Sequence, residues 1–271
     1  MTEITAARPG LLTLGLRQGR SELTRFLRSR EAVVFTMLFP VLMIVIFGSI
    51  FTWEIYPGVQ FSQYFVVGMI GAGLMATGFQ NLAIQIPSER DRGELKRLRG
   101  TPMPPAVYFI GKVLMVLAVA AAETVLLLVF AVAFYGVTLP TEVTKWLTFA
   151  WVSLLGVASC TLCGVAFSSV ARTARSAPAV ATPIALVLQF ISGVFIKFTQ
   201  LPDWMQQIAA LFPLKWICQG LRSVFLPAGM AAEEPAGSWE LDRVAMVLVA
   251  WCLLGLVLCL TTFRWTTKRD G

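Results

Sequence analysis

Histidine does not occur in this 271-residue sequence, and charge of either sign is scarce. The missing imidazole removes His-based triads, His metal ligands and the usual general base near neutral pH. Charged residues make up only 14% of the chain, against about 25% in an average soluble domain. So few charges cannot cover the water-facing surface of a chain this long. Also missing is a Walker A loop, G-x-x-x-x-G-K-[ST], so no stretch cradles nucleotide phosphates in that manner. What fills the space is apolar: 57% of residues are hydrophobic and the mean hydropathy is +0.74. The bilayer is therefore the expected solvent, and the chain is counted in spans rather than soluble domains. The net charge of +7 falls in the gaps between apolar runs, which speaks for membrane orientation rather than nucleic acid. Cys160, Cys163, Cys218, Cys252 and Cys259 all lie in or beside those runs. Cys160 and Cys163 form a C-x-x-C one helical turn apart, better read as packing residues than as a redox or metal pair. No metal site is expected. No cleavable signal peptide is expected either, because the basic stretch Arg8 to Arg30 precedes an apolar run too long for an h-region.

Residues 1–10 read as a tail. From 11 to 30, Leu12, Leu16, Leu23, Phe26 and Leu27 form one stripe at helical spacing, with Arg17, Arg20, Arg25 and Arg28 off it. This predicts an amphipathic helix lying in the membrane interface. Six spans follow, at roughly 33–53, 64–86, 108–135, 146–170, 178–198 and 241–263. Pro40 is expected to kink the first, and 54–63 reads as a short loop. Span 3 carries Glu123, the one acidic residue deep in an apolar run. An intramembrane carboxylate is a functional candidate by default, but a hydrogen-bonded carboxyl at a helix interface is an equal reading. Between spans 5 and 6, Trp204, Ile208 and Leu211, then Trp216, Leu221 and Phe225, mark two half-helices around Pro213, too short to cross alone. Placing both termini on one side leaves only Lys145, Lys197, Lys215, Arg222 and Arg243, of 22 basic residues, on the other. Arg8, Arg172, Lys268 and Arg269 contribute to that count. The positive-inside rule then puts both termini in the cytoplasm.

The most distinctive stretch is a polar island at 86–102, between spans 2 and 3. Ser88 is placed to cap a helix beginning at Glu89, with Asp91 in its first turn. Acids (Glu89, Asp91, Glu94) precede bases (Lys96, Arg97, Arg99), which matches the helix dipole. Gly100 is the expected C-cap, with Pro102 beyond it. A solvated loop helix and a surface that docks on another charged protein both fit these residues; orientation alone needs no interleaved acids.

The run Glu89-Arg90-Asp91-Arg92-Gly93-Glu94-Leu95-Lys96-Arg97-Leu98-Arg99-Gly100-Thr101-Pro102-Met103-Pro104, followed by Gly111-Lys112, resembles the signature after the second span of ABC-2 type transporter permeases. Daunorubicin-resistance-like drug exporters are among them. Asp91-Arg92-Gly93 stands where E-R-G is commoner in the family. Ser192-Gly193-Val194-Phe195, Leu201-Pro202-Asp203-Trp204, Phe212-Pro213-Leu214 and Leu221-Arg222 resemble the family's fifth span and external re-entrant helices. The resemblance implies an all-α polytopic membrane protein. Residues 1–30 would form a cytoplasmic tail and interfacial helix, and 31–271 a six-span domain with a cytoplasmic coupling helix between spans 2 and 3 and two external re-entrant helices between spans 5 and 6. It further implies a permease of the bacterial plasma membrane that pairs with a second permease, itself or a sister chain. Separate cytoplasmic ATPase subunits, carrying ATP and Mg, would drive it; the permease itself binds no cofactor and is no enzyme.

On that resemblance, Glu89, Arg90, Asp91, Arg92, Gly93, Glu94 and Arg97 are the candidate coupling residues. Gln80, Asn81, Gln189, Phe190, Ser192 and Phe195 are candidates for the substrate path, though each also fits helix packing. The expected cargo is a hydrophobic or amphiphilic molecule, such as a drug, antibiotic or lipid, moved outward. The alternatives are a relative that exports a polysaccharide or lipid-linked glycan, and a proton-coupled secondary transporter using Glu123.

Overall fold

The computed structural model describes residues 10–171 and 173–265; Arg8, Arg172, Lys268 and Arg269, used above for orientation, lie outside the described residues. The chain is almost wholly helical. In order it forms α1 (Leu11–Arg28), α2 (Arg30–Ile50), α3 (Phe61–Asp91), α4 (Glu94–Arg99), α5 (Pro105–Tyr135), α6 (Val143–Phe167), α7 (Ser176–Ile191), α8 (Asp203–Ala210), α9 (Pro213–Phe225) and α10 (Leu241–Thr262). Five of these, α2, α3, α5, α6 and α10, are long and apolar enough to cross a membrane. The fifth expected span, 178–198, forms only α7, which is apolar but has 16 residues, or about 24 Å at 1.5 Å per residue.

The expected loop at 54–63 is instead a small antiparallel hairpin, Glu54–Tyr56 with Val59–Gln60, pairing Glu54 with Gln60 and Tyr56 with Val59. Pro57-Gly58 makes its turn, with Gly58 at φ 77°, which lets the chain fold back at once into α3. Pro40 acts through its missing N–H: a π-helical turn, Val34–Leu38, opens just before it.

The bundle is built around α3. In its most apolar window 83% of residues are buried, against 11% for α2 and 17% for α10. Helices α2, α5, α6 and α9 all pack on it. Such central packing needs small residues, because in lipid helices associate by close backbone approach. A second π-helical turn, Ala76–Gln80, interrupts α3 where α6 touches it. There a Cβ on Gly164 of α6 would stand 2.6 Å from the Gly78 carbonyl oxygen.

Helix α1 has two faces where one was expected. Leu12, Leu16 and Leu27 stay exposed, as an interfacial stripe requires, but Phe26 is buried and Leu23 half-buried. A seam of Gly15, Gly19, Glu22 and Phe26 is buried against α5. A Cβ at Gly15 would meet Ile110 Cγ2 at 2.5 Å. The Gly15-x-x-x-Gly19 spacing was the available sequence signal for this contact.

The two half-helices also differ from each other. Trp204, Ile208 and Leu211 of the α8 segment are exposed, whereas 12 of the 13 residues of α9 are buried. Trp251 Nε1, halfway along α10, donates to the Leu211 carbonyl at 2.8 Å. The turn between α8 and α9 therefore sits level with the middle of α10.

Gly164→Ala is expected to destabilise the protein by about 1–3 kcal/mol through overpacking. Gly100→Ala, whose added Cβ has its nearest neighbour at 3.4 Å, is expected to be close to neutral. Thermal unfolding in detergent checks this; equal midpoints for the two variants would refute the close approach of α3 and α6.

Candidate functional site

The polar island folds differently from its sequence pattern. No helix starts at Glu89. Helix α3 instead runs through Pro87 to Asp91, and Ser88 Oγ donates to the Ile84 carbonyl at 3.0 Å rather than capping. The break comes at Gly93, whose φ of 72° suits glycine and few other residues. Helix α4 follows, with Glu94 in its first turn and Lys96, Arg97 and Arg99 in its last; Gly100 caps its C-terminus as expected. The reason for the shift is electrostatic. Glu89 is 1% exposed, and its carboxylate must keep the helical phase of α3 to reach its partners.

Those partners form a buried knot. Lys112 of α5 donates from Nζ to Glu89 Oε1 and, at 2.9 Å, to Glu22 Oε2 of α1. Tyr108 Oη donates to Glu89 Oε2 at 2.7 Å. Gln18 and Gln85 donate to the two oxygens of Glu22 at 3.0 and 3.4 Å. Arg25 Nη1 bridges outward, 3.3 Å from Glu89 Oε1 and 2.9 Å from Glu94 Oε2. Two buried carboxylates thus share one buried ammonium, and one rim guanidinium continues the chain of charges to α4. Burial opposes ionisation of Glu94, but its hydrogen bond from Arg92 and the Arg25 charge outweigh that and hold its carboxyl below the usual range.

The seven candidate coupling residues divide into two groups. Glu89 and Arg90 are buried; Arg90 donates to the Arg264 carbonyl from Nε at 3.1 Å and to the Ser168 carbonyl from Nη1 at 3.3 Å. Asp91 Oδ2 accepts from the Ala174 amide at 2.5 Å, tying the α6–α7 connection to the end of α3. Arg92 and Arg97 are exposed, Glu94 is partly so, and Gly93 is the break between the two sets.

The six path candidates do not gather in one place. Gln80 donates to Thr182 Oγ1 at 3.2 Å, joining α3 to the first half of α7, with Asn81 half-buried next to it. Gln189, Phe190, Ser192 and Phe195 sit at the other end of α7, about 12 Å along at 1.5 Å per residue. There Phe190 stacks on Phe195 at 4.6 Å, while Ser192 is fully buried. Glu123 accepts from Thr77 Oγ1 at 3.0 Å beside the π-helical turn of α3, and no basic side chain among the described residues pairs with it.

Two cations expected on the external side, in the second half-helix, lie inside the bundle. Arg222 is 1% exposed; it stacks 4.0 Å over the Tyr64 ring, donates to the Gly193 carbonyl and lies 3.8 Å from Glu234. Lys215 is buried over the Trp216 ring at 3.7 Å and donates to Gln219. The signal was present: Lys215, Gln219 and Arg222 are i, i+4 and i+7, a polar stripe on one face of α9.

A helical bundle with five candidate spans, a nearly buried central helix and a charged knot at one end defines a multi-pass membrane protein. Residues 19–226 match the family model of the ABC-2 type transporter, and the chain belongs to that family. It is a permease, a transport component rather than a catalytic enzyme. Over 237 residues it is 26% identical to the inner membrane transport permease YadH of Escherichia coli (strain K12), covering 86% of this chain and 91% of that protein. Over 253 residues it is 20% identical to YvfS of Bacillus subtilis (strain 168), also named a transport permease, covering 89% and 94%.

Lys112→Met leaves Glu22 and Glu89 facing each other with no buried cation, only the half-exposed Arg25 at their rim, and is expected to cost about 3–5 kcal/mol. Arg92→Ala, at the exposed rim, is expected to cost at most about 1 kcal/mol. Chemical denaturation in detergent reads both. Adding Glu22→Gln to Lys112→Met should recover part of the loss, and strict additivity would break the link between α1 and α5.

Proposed function

We propose that this chain is the membrane subunit of an ATP-driven exporter, paired with a second permease and powered by separate cytoplasmic ATPase subunits that carry ATP and Mg. The knot of Glu22, Lys112, Glu89 and Arg25 carries this reading. It joins the interfacial helix α1, the short helix α4 and the spans α3 and α5 into one body. Lys112, Glu22 and Glu89 stay buried inside it while Arg92 and Arg97 face outward. A motor pressing on that outer surface pushes α4, and Arg25 and Glu89 hand the push to α3, the helix on which the bundle is built. Gly93 allows α4 to set its own angle, and the buried charges keep it from moving alone.

Counting α7 as the sixth span, with the α8–α9 pair re-entering from outside, puts both termini and the knot on the cytoplasmic side of a bacterial plasma membrane, as the distribution of basic residues favours. The cargo is a hydrophobic or amphiphilic molecule, in keeping with the apolar walls of the bundle.

A protein bearing a Walker A motif is expected to co-purify with the full chain. Arg97→Glu and the pair Arg92→Glu with Glu94→Lys should reduce nucleotide-dependent transport or release that partner at unchanged expression. Full transport in these variants, or transport in vesicles without nucleotide, overturns the proposal.

A further inference from the structure

A cavity of about 490 Å³ lies between α3, α6, α7 and α10. Ligand pockets commonly measure about 300–1,000 Å³. Its walls are apolar: Met75 and Phe79 of α3, Cys163 of α6, Ile184 and Leu188 of α7, and Leu258 of α10. Phe212 and Pro213, the turn between α8 and α9, close one end. Phe212 is held there by stacking on Trp251, with ring centroids 6.0 Å apart and planes at 22°. The cavity thus begins level with the middle of α10 and runs toward the end of the bundle that bears the knot. It opens sideways, since Ile184 and Leu258 on its walls remain 37% exposed.

Its other end is polar. Ser169 and Thr262 line it. Immediately beyond, Arg90 grips the carbonyls of Ser168 and Arg264, joining the ends of α6 and α10. Arg90 is 6% exposed, and its Nη2 has no hydrogen-bond partner among the described residues. A buried guanidinium with an unused donor is costly unless an anion or other acceptor reaches it.

We infer that this cavity holds the acyl tail of an anionic amphiphile from the cytoplasmic leaflet, with its headgroup at Arg90. An apolar chamber open to lipid fills with what the bilayer offers, and the bilayer offers tails. A helix from a second copy, about 10 Å wide, would fill 490 Å³ with little more than one turn. A single tail fits the same space lengthwise. The polar rim, the basic residue behind it and the roof at mid-bundle give the site the polarity of a lipid standing in the inner leaflet. Its role as the loading site for cargo rests on the exporter reading; its occupancy by a tail does not.

The test uses the full chain in vesicles of phosphatidylethanolamine and phosphatidylglycerol. The probes are phosphatidylglycerol, phosphatidylcholine and palmitate, each carrying a diazirine in the tail. After illumination, adducts are mapped by mass spectrometry. Phosphatidylglycerol and palmitate are expected to label Cys163, Leu188 and Leu258. Ala166→Phe, which fills the cavity, should cut this labelling about tenfold while adducts at the lipid-facing Leu253 and Leu260 persist. Ile184→Trp, at an exposed position on the opposite wall, gives the same test if Ala166→Phe does not fold. Arg90→Gln should erase an anionic preference of about tenfold over phosphatidylcholine. Labelling spread evenly over Leu253, Leu260 and the cavity overturns the inference, and so does a Cys163–Cys163 cross-link between two copies in unlabelled protein. Cavity labelling in a chain with which no Walker A protein co-purifies, and whose transport needs no nucleotide, would leave the site standing and end the exporter reading. A coupled ATPase without cavity labelling would do the reverse.

Discussion

One buried ammonium holds the working end of this permease together. Lys112 is the cation between Glu22 and Glu89, and all three side chains are removed from water. Burying charge is costly unless it is paired and hydrogen-bonded. Here both conditions are met, with Tyr108, Gln18 and Gln85 supplying the remaining donors. The energetic value of such a pair lies less in net stability than in what breaking it would cost. Elements α1, α3 and α5 therefore cannot separate at this point without leaving a charge stranded.

Around that fixed point the helical backbone is interrupted locally. Gly93 separates α3 from α4, and the π-helical turn Ala76–Gln80 loosens the ladder of α3 one-third of the way along from the knot. Glu123 and Thr77 meet beside that turn, and Gly164 of α6 presses against its backbone. Helix α3 is thus tied by charges at one end and interrupted in the bundle's middle. The far end is tied separately: Arg222, buried over Tyr64, holds the chain after α7 to α3 through the Gly193 carbonyl. Each end of α3 is thus fastened by a buried cation from another helix, Lys112 at Glu89 and Arg222 over Tyr64.

Much of this was legible in the sequence. Scarce charge and long apolar runs set the bilayer as solvent. The charges ending at Arg99, with Gly100 after them, announced a short helix, but not that it begins at Glu94 rather than Glu89. Leu12, Leu16 and Leu27 of α1 foretold an exposed apolar stripe. These readings rest on composition and on periodicity within one helix, which depend only on residues near each other in the chain.

Pairings between distant segments were not legible. Glu89 looks like one more surface charge until Lys112 and Glu22 are brought to it, 23 positions ahead and 67 behind. Arg222 and Lys215 look like loop cations until α9 is folded into the bundle. Gly15 and Gly19 look permissive until Ile110 and Leu114 of α5 lie against them. The sequence by itself determined that this chain is a membrane protein with a charged helix between two spans. Only the tertiary structure decided which of those charges face outward and which hold the bundle. Burial and partner geometry set a charge's role, and both are properties of contacts far apart in the chain.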